Sequence, residues 1–306
     1  MRVKLLLRYT HVAIIVFISC VAARAMAAAQ PDQSPINFAE IKEFATLANA
    51  AYQPLPKIRT LSALKKYRLS HYSNIPEIEI SYFLVTDDVA KTQVVVVRGT
   101  SNVENAMVNA ALKLTLDRHL GVRLHNGFSQ SAQAIYTEIK PLLKTDYVIS
   151  LTGHSLGGAV ALILAMHLDV DDFTVGKVVT FGQPKVTNVA GTNAFKHLDV
   201  IRVVTPKDLV PLVPPFDPVD IYDLDVYWHS GRELILLADS TYALLEGVNS
   251  LLRATRFTQE PLNDKNLQDH QMTLYMLLLD KKISAASLVP FTNSFNLFNL
   301  FGAEKK

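Results

Sequence analysis

Short apolar runs alternate with longer amphipathic stretches along most of this chain. Five runs rich in Val, Ile, Tyr or Phe have the length of buried strands: 78–85, 93–98, 147–152, 177–181 and 200–205. Four other segments have the length and spacing of helices: 41–52, 128–143, 158–168 and 271–282. Because strands and helices alternate from residue 90 onward, the pattern predicts an α/β fold with a mostly parallel central sheet and helices on both faces.

The first thirty residues have the pattern of an export signal. A basic stretch at 1–8 precedes the apolar run 12–22, and small residues follow at 25–29. That run is about half of the roughly 20 residues needed to cross a bilayer, so cleavage is expected rather than anchoring. The sequence therefore predicts a signal peptide at 1–29 and a single domain at 30–306. The alternative is a lipoprotein signal ending before Cys20, because the residues preceding Cys20 loosely resemble a lipobox.

Composition excludes several classes of protein. The chain has 30 basic and 28 acidic residues, and its first four basic residues lie in the export signal, so no nucleic-acid partner is expected. Its single Cys rules out an internal disulfide. No apolar run after residue 30 is long enough for a transmembrane helix. No metal or organic cofactor is expected, because no His/Cys/Asp cluster has ligand spacing and no phosphate-binding loop occurs.

A strand, a serine flanked by glycines and an Ala-rich helix follow each other directly. Ser155 lies between Gly153 and Gly157, and Gly158 comes next. A serine at a sharp strand-to-helix turn needs such neighbours, because bulkier side chains would clash there. The helix after Ser155 would also point its N-terminal dipole and free N–H groups at the hydroxyl. The pattern predicts a nucleophilic serine. A glycine-rich turn with an incidental serine is the alternative.

A serine nucleophile needs a histidine base and an acid that orients it, and in this type of fold the order is Ser, acid, His. Asp208 comes just after the apolar run 200–205, where a strand end delivers a side chain to the catalytic edge of the sheet. Asp208 is therefore the predicted acid. Nearby carboxylates are better interpreted as solvated loop residues: Asp217, Asp220, Asp223 and Asp225.

Four histidines follow Ser155: His167, His197, His229 and His270. His167 lies on the helix that Ser155 opens and His197 precedes a strand, so both are poorly placed. His229 lies in a pattern typical of a hairpin or an edge strand. His270 follows a polar stretch and precedes a helix, which indicates a loop, where catalytic residues often lie. His270 is the predicted base and His229 is the alternative.

Together these motifs resemble the class 3 lipases, the fungal-type triacylglycerol lipase family within the α/β-hydrolases. The resemblance spans roughly residues 93–279 and includes five further segments in order: 97–100 (VRGT), 125–128 (HNGF), 181–188 (FGQPKVTN), 208–215 (DLVPLVPP) and 269–275 (DHQMTLY). The chain departs from the family pattern at Lys185 and Thr187, where the family has Arg and Gly.

The resemblance implies which residues form the catalytic site. It assigns a catalytic triad to Ser155, Asp208 and His270. It assigns the oxyanion hole to Thr100 and the main-chain N–H of Leu156. It gives no catalytic role to the predicted hairpin that contains the alternative histidine.

The resemblance implies serine-dependent hydrolysis of lipid esters. The enzyme would be a triacylglycerol lipase that releases fatty acids through an acyl-enzyme. Together with the export signal, this predicts an exported enzyme, secreted or periplasmic. A phospholipase A1 or a short-chain carboxylesterase would use the same machinery. A non-catalytic lipid-binding protein on a hydrolase scaffold is the alternative from another class. The expected partner is a lipid ester, in one interpretation met at a lipid–water interface.

Two further segments bear on contact with lipid. Residues 106–116 lie where the family carries its lid and are predicted as an apolar-faced helix, either a lid or an ordinary connecting helix. The C-terminal segment contains Phe291, Phe295, Phe298 and Phe301, which either insert at an interface or pack against the core.

Overall fold

The computed structural model describes residues 35–61, 65–100, 113–214, 226–246, 250 and 268–291. The strands are β1 (Arg68–Ile75), β2 (Ile80–Asp87), β3 (Thr92–Val97), β4 (Leu114–Asp117), β5 (Val122–His125), β6 (Val148–His154), β7 (Val175–Phe181), β8 (Thr187–Asn188), β9 (Val200–Val204), β10 (Tyr227–Trp228), β11 (Arg232–Leu236), β12 (Thr241–Leu245) and β13 (Ser287–Leu288). The helices are α1 (Phe38–Ala50), α2 (Leu55–Thr60), α3 (Asn126–Ile139), α4 (Leu156–Val170), α5 (Val189–Ala194) and α6 (Met272–Ile283). Several predictions lie outside the described residues: the export signal with Cys20, segment 106–112, the four carboxylates at 217–225 and the last three C-terminal phenylalanines.

The main sheet has nine strands in the described residues, in the order β1-β2-β3-β6-β7-β9-β11-β12-β13. Its five neighbouring strands from β3 to β11 are parallel. The pairs β1–β2, β2–β3 and β11–β12 are antiparallel, and β12 and β13 are parallel. The predicted α/β fold with a mostly parallel sheet is confirmed, and all five predicted strands are present within a few residues of their expected bounds.

Helices cover both faces of this sheet because its strands are apolar on both sides. On β3, Val95 and Val97 pack into one core cluster with α3 and α4, whereas Val94 and Val96 pack into another with α1 and α6. Each fully buried valine contributes about 1.5–3 kcal/mol to folding. The helix α4 is buried continuously from Gly157 to Leu168, which is typical of a helix enclosed by other elements. Ser155, which directly precedes α4, is therefore attached to a well-packed support.

A second, four-stranded sheet has the order β10-β8-β5-β4. Two predictions are decided here. Of the two alternatives for the pattern around His229, the edge strand is confirmed, because β10 lies at the edge of this sheet in the described residues, and the hairpin is wrong, because β10 and β11 belong to different sheets. The helix predicted at 106–116 does not extend to its last residues, because Leu114 and Leu116 lie on β4, where they pair with His125 and Arg123 of β5.

The predicted helix 128–143 ends early for a simple reason. The helix α3 ends at Ile139, and Lys140–Leu142 form a 3₁₀ turn, because Pro141 has no N–H for the next helical hydrogen bond. Near the C-terminus, Phe291 packs against the small core cluster of Val204, Ile235 and Ala243. Within the described ranges, no helix combines the length and the apolarity that a bilayer crossing would need.

Candidate active site

Ser155 forms a strained turn between β6 and α4. Its φ is 58° and its ψ is −132°, a conformation that costs an L-residue about 1–3 kcal/mol. Its N–H donates to the carbonyl of Phe181 on β7 at 2.8 Å. A Cβ on Gly153 would lie 2.4 Å from the carbonyl oxygen of Gly157, and one on Gly157 would lie 2.3 Å from that of Val97. The predicted need for glycine on both sides of the serine is thus explained by backbone contacts.

Asp208 lies in the loop after β9, and its carboxylate is fully buried. One oxygen, Oδ2, accepts hydrogen bonds from Nδ1 of His270 at 2.8 Å and from the hydroxyl of Tyr275 on α6. The other oxygen, Oδ1, accepts from the N–H of Val210 at 2.9 Å. Three donors from different parts of the chain therefore fix the position of the carboxylate.

The proton on His270 is placed by this contact. Because Nδ1 faces a carboxylate, Nδ1 carries the hydrogen and Nε2 carries the free lone pair. The side chain is 2% exposed, and its Nε2 is buried with no hydrogen-bond partner among the described residues. A buried acceptor without a partner costs about 1–3 kcal/mol, and it is what a general base needs in order to take a proton from a nucleophile.

The Asp208–His270 pair and Ser155 meet at the end of β7. The serine N–H binds the carbonyl of Phe181. On the next residue, Gly182, a Cβ would lie 2.6 Å from Cε1 of His270 and 2.9 Å from Oδ2 of Asp208. Gly182 has a φ of 58° and so combines a left-handed backbone with close packing against the imidazole. Ser155, Asp208 and His270, which are far apart in the sequence, therefore lie together around Phe181 and Gly182.

A buried histidine beside the serine links the site to the N-terminal helix. The ring centroids of His154 and His270 are 4.4 Å apart, and Nε2 of His154 lies 2.7 Å from the carbonyl oxygen of His270. Burial, and secondarily the nearby His270, hold the pKa of His154 well below 6.5, so the ring is neutral. Its Nε2 must donate to that carbonyl, and its Nδ1 accepts from the hydroxyl of Tyr52 at 2.8 Å.

Tyr52 was not expected from the sequence. It follows α1 in a segment that carries no motif, and its contact with His154 spans 102 residues of chain. Burial raises its pKa above the ordinary value of 10, so the hydroxyl remains a donor. A Cβ on Gly99 would lie 2.4 Å from this hydroxyl and 3.2 Å from Cβ of Ser155. Tyr52 therefore packs between the end of β3 and the serine.

Of the two expected oxyanion donors, Leu156 directly follows Ser155 in the chain, whereas Thr100 follows a residue that packs against the serine turn. Thr100 follows Gly99, whose backbone contacts the serine turn as described above. Leu156 is the first residue of α4, and its N–H has no carbonyl acceptor within its own helix. Donors near the serine hydroxyl are what a site for a developing negative charge would require.

The other candidate histidines have different partners. His167 is buried at the far end of α4, with Nε2 3.6 Å from a carboxylate oxygen of Asp117. His197 pairs with Asp169 at 2.9 Å. His229 lies 2.6 Å, through Nε2, from the carbonyl oxygen of Pro211. Of the four, His270 is the one whose recorded contact is with Asp208.

His125 caps α3 next to the second sheet. Its Nδ1 accepts from the N–H of Phe128 at 3.4 Å, and the two rings stack with centroids 3.9 Å apart. Burial lowers the pKa of His125 to about 4. A neutral ring is required here, because a protonated Nδ1 cannot accept the capping hydrogen bond. The described residues contain no group of three or more His, Cys, Asp or Glu side chains arranged to hold a metal ion.

Comparison with known proteins finds lipases similar to this chain. Residues 94–217 match the family model described as "Lipase (class 3)". A secreted mono- and diacylglycerol lipase of Fusarium solani is 31% identical over 176 residues, which is 55% of this chain and 51% of that protein. A chloroplastic phospholipase A1, PLIP2 of Arabidopsis thaliana, is 27% identical over 146 residues, 42% of this chain and 20% of that protein.

Solved structures agree. The Lip2 lipase of Yarrowia lipolytica superposes with a TM-score of 0.56 at 26% identity, covering 65% of this chain and 80% of that one. The chain spans about half of the Fusarium relative and about a fifth of the Arabidopsis one. The matched segment contains most of β3, the serine turn and Asp208, and the fold is the one that the solved lipases share. Residues 94–217 thus resemble the class 3 lipases, and the described fold is that of the α/β-hydrolase superfamily.

Proposed function

We propose that this protein is a serine-dependent carboxylic ester hydrolase that acts on lipid esters, as a triacylglycerol lipase. The observation that carries the proposal is the Asp208–His270 pair, 2.8 Å apart, beside a strained Ser155. The unpartnered Nε2 of His270 supplies the base that such a hydroxyl needs.

In the proposed mechanism, the hydroxyl of Ser155 attacks the ester carbonyl while Nε2 of His270 takes its proton. Asp208 keeps the imidazole in the required tautomer and stabilises the imidazolium that forms. His270 then gives the proton to the leaving alcohol, which leaves an acyl-enzyme. Water, deprotonated by the same Nε2, releases the fatty acid and restores the serine.

The developing oxyanion would be held by Thr100 and by the N–H of Leu156. The start of α4 adds the positive end of the helix dipole. Loss of one such donor is expected to raise the activation free energy by about 3 kcal/mol. Thr100→Val would test this while keeping the shape of the side chain.

The names of the relatives support lipid esters as the substrate class and suggest two candidate substrates. The Fusarium relative is named a mono- and diacylglycerol lipase and the Arabidopsis relative a phospholipase A1. Triacylglycerol is the first candidate and the acyl ester of a phospholipid is the second. Hydrolysis should be compared on emulsions of triacylglycerol and of phospholipid, above and below the substrate's aggregation threshold. Faster release from triacylglycerol supports the proposal, and faster release from phospholipid favours a phospholipase A1.

The same assay separates catalysis from binding. If the protein binds both emulsions and releases no fatty acid, it is a lipid-binding protein on a hydrolase scaffold. A p-nitrophenyl ester series covers the third alternative, because a short-chain carboxylesterase would act on soluble short esters and lose activity as the acyl chain lengthens.

We also propose that the protein is exported. The pattern of residues 1–29 and the secreted Fusarium relative support this. The mass of the protein recovered outside the cytoplasm tests it, and a loss of about the first 29 residues is expected. An N-terminal diacylated Cys20 in a membrane fraction would favour the lipoprotein alternative.

A further inference from the structure

The four consecutive carbonyls of residues 211–214 each accept a hydrogen bond from a residue that flanks a strand of the second sheet. Nε2 of His229 donates to the carbonyl of Pro211 at 2.6 Å. Nζ of Lys185 donates to the carbonyls of Leu212 at 2.8 Å and Pro214 at 2.6 Å. The main-chain N–H of Lys185 donates to the carbonyl of Val213, between them, at 2.9 Å. We call residues 211–214 the acid loop and these four hydrogen bonds the clamp.

Strand pairing brings both donor residues to this loop. The strands β8 and β10 are antiparallel, with Trp228 opposite Thr187. Lys185 lies two residues before Thr187, and His229 directly follows Trp228. Because the start of one antiparallel strand lies beside the end of the other, both side chains emerge at the same end of the second sheet. The small sheet thus has a defined position relative to the acid.

The acid loop is connected to the carboxylate of Asp208 through three hydrogen bonds donated by main-chain N–H groups. The N–H of Val210 donates to Oδ1 of Asp208 at 2.9 Å. Val210 also accepts from the N–H of Val213 at 3.2 Å, and Leu209 accepts from the N–H of Leu212 at 2.9 Å. A displacement of residues 211–214 would therefore move the group that fixes Oδ1. The other oxygen, which His270 uses, would move with it.

We propose that Lys185 and His229 are positioning residues, which hold residues 211–214 so that Asp208 keeps its contact with His270. This inference rests on the proposed ester hydrolase function. It assigns a role to the histidine that the sequence offered as the alternative base. It also explains what a lysine does at a position that is 3% exposed, where an unpaired amine would be costly.

The two hydrogen bonds from Nζ do not require a charged lysine. Burial is the main cause that lowers the pKa of Lys185 to about 7, Arg202 on β9 lowers it further, and Glu233 on β11 opposes the shift. A neutral amine still has two N–H donors, one for each carbonyl that Nζ contacts. The clamp can therefore be made in either protonation state.

Lys282 provides a matched control. It is also buried, and its Nζ also donates to main-chain carbonyls, those of Leu237, Asp239 and Leu278. It lies near the C-terminal end of α6, about 15 Å along the helix from Met272. Lys282→Met therefore removes the same kind of interaction without touching the loop of Asp208.

The experiment compares Lys185→Met, His229→Leu, His229→Gln and Lys282→Met by kcat and KM on a soluble p-nitrophenyl ester, with folding checked by circular dichroism. A misplacement of about 1 Å costs about a hundredfold in rate, so we expect kcat to fall about 10- to 100-fold in the first two variants, with KM within about twofold. His229→Gln retains a donor near the position of Nε2 and should recover most of the loss. Lys282→Met should keep wild-type kcat per folded molecule.

A second readout distinguishes positioning from loss of structure. The titratable groups recorded around His270 are Asp208, the neutral His154 and Tyr275, and the carboxylate is the one that stabilises an imidazolium. If Asp208 moves away, the acid limb of kcat/KM shifts to lower pH, and the downfield Nδ1–H proton signal of His270 weakens. Destabilisation alone changes neither quantity in the molecules that remain folded.

The outcomes are separable. An unchanged acid limb and an unchanged Nδ1–H signal in Lys185→Met and His229→Leu would overturn the proposal, whatever happens to stability. If Lys185→Met does not fold, His229→Leu decides the question alone, because its side chain is only partly buried. If the wild-type protein hydrolyses no ester, the proposed function fails, yet the Nδ1–H signal still tests whether the clamp positions Asp208.

Discussion

Nδ1 of His270 lies 2.8 Å from a carboxylate oxygen of Asp208, although 62 residues separate the two in the chain. The carboxylate lies in the loop after β9, and the imidazole lies two residues before the start of α6. Their contact fixes which ring nitrogen is free, and that nitrogen is buried without a partner among the described residues. This arrangement has a cost in stability that a purely structural histidine would not need to carry.

The carboxylate of Asp208 should be essential for rate and not for folding. Asp208→Asn keeps the shape of the side chain but offers an amide donor to Nδ1, which favours the wrong imidazole tautomer. A loss of about 10⁴ in kcat is expected by analogy with other Ser-His-Asp triads. Asp199→Asn is the control, because Asp199 forms an exposed ion pair with Arg232. A kcat within tenfold of wild type in Asp208→Asn would contradict the assigned role.

Stability and function should oppose each other at Ser155. Ser155→Gly and Ser155→Ala both remove the nucleophile, so kcat should fall about 10⁶-fold in each. They should differ in stability, because glycine adopts a φ of 58° without strain and alanine does not. We expect Ser155→Gly to have a free energy of unfolding about 1 kcal/mol above that of Ser155→Ala, measured by urea denaturation. Equal stabilities would mean that the turn is not strained.

The hydroxyl of Tyr52 should affect rate through His154. Tyr52→Phe leaves Nδ1 of His154 without its donor, so the ring is free to change tautomer and release the carbonyl of His270. One hydrogen bond of this kind is worth about 0.5–1.5 kcal/mol, which corresponds to a fall in kcat of up to about tenfold. Tyr147→Phe is the control. His154 is the last residue of β6, whereas Tyr147 directly precedes the first, and its hydroxyl donates to Asp88. A wild-type kcat in Tyr52→Phe would show that the hydroxyl of Tyr52 does not affect the rate.

Sequence patterns predicted the part of the site that depends on chain order. Ser155, Asp208 and His270 each lie next to a recognisable element, a strand–turn–helix, a strand end and a helix start, so local signals were sufficient to nominate them. Tyr52 and Lys185 could not be given their roles in this way. Their contacts depend on how distant segments pack, and nothing in the residues around them indicates the partner.

The same distinction applies to the fold. The parallel strands were predicted from their apolar runs because both faces of each are buried. The strand β1, Arg68–Ile75, was not predicted, since its burial is only partial and its sequence is largely polar. The second sheet was missed because β8 and β10 have two residues each, too few for a periodic pattern.

Acid should weaken the protein through His125. Its pKa is about 4 in the folded protein against an ordinary value of 6.5, so the unfolded chain binds more protons between these values. The contribution of His125 to stability is therefore complete above pH 6.5, falls as pH decreases, and is lost below about pH 4, a total of about 3 kcal/mol. Urea denaturation from pH 7 to 4 measures it.

His125→Asn is the comparison for this titration. Asparagine can still cap α3 and does not titrate, so its free energy of unfolding should fall less steeply over the same pH range. Parallel pH profiles for the two proteins would show that His125 is not responsible for the loss of stability in acid.

The most direct test of the central claim is covalent labelling with a fluorophosphonate probe, followed by mass spectrometry of the digested protein. Such a probe reacts with a serine only when a neighbouring base activates it. We expect one adduct per molecule, on the peptide that contains Ser155, with labelling slowed strongly in His270→Ala and Asp208→Asn. No adduct in the folded wild-type protein, or labelling of Ser155 at the same rate when His270 is replaced, would contradict that claim.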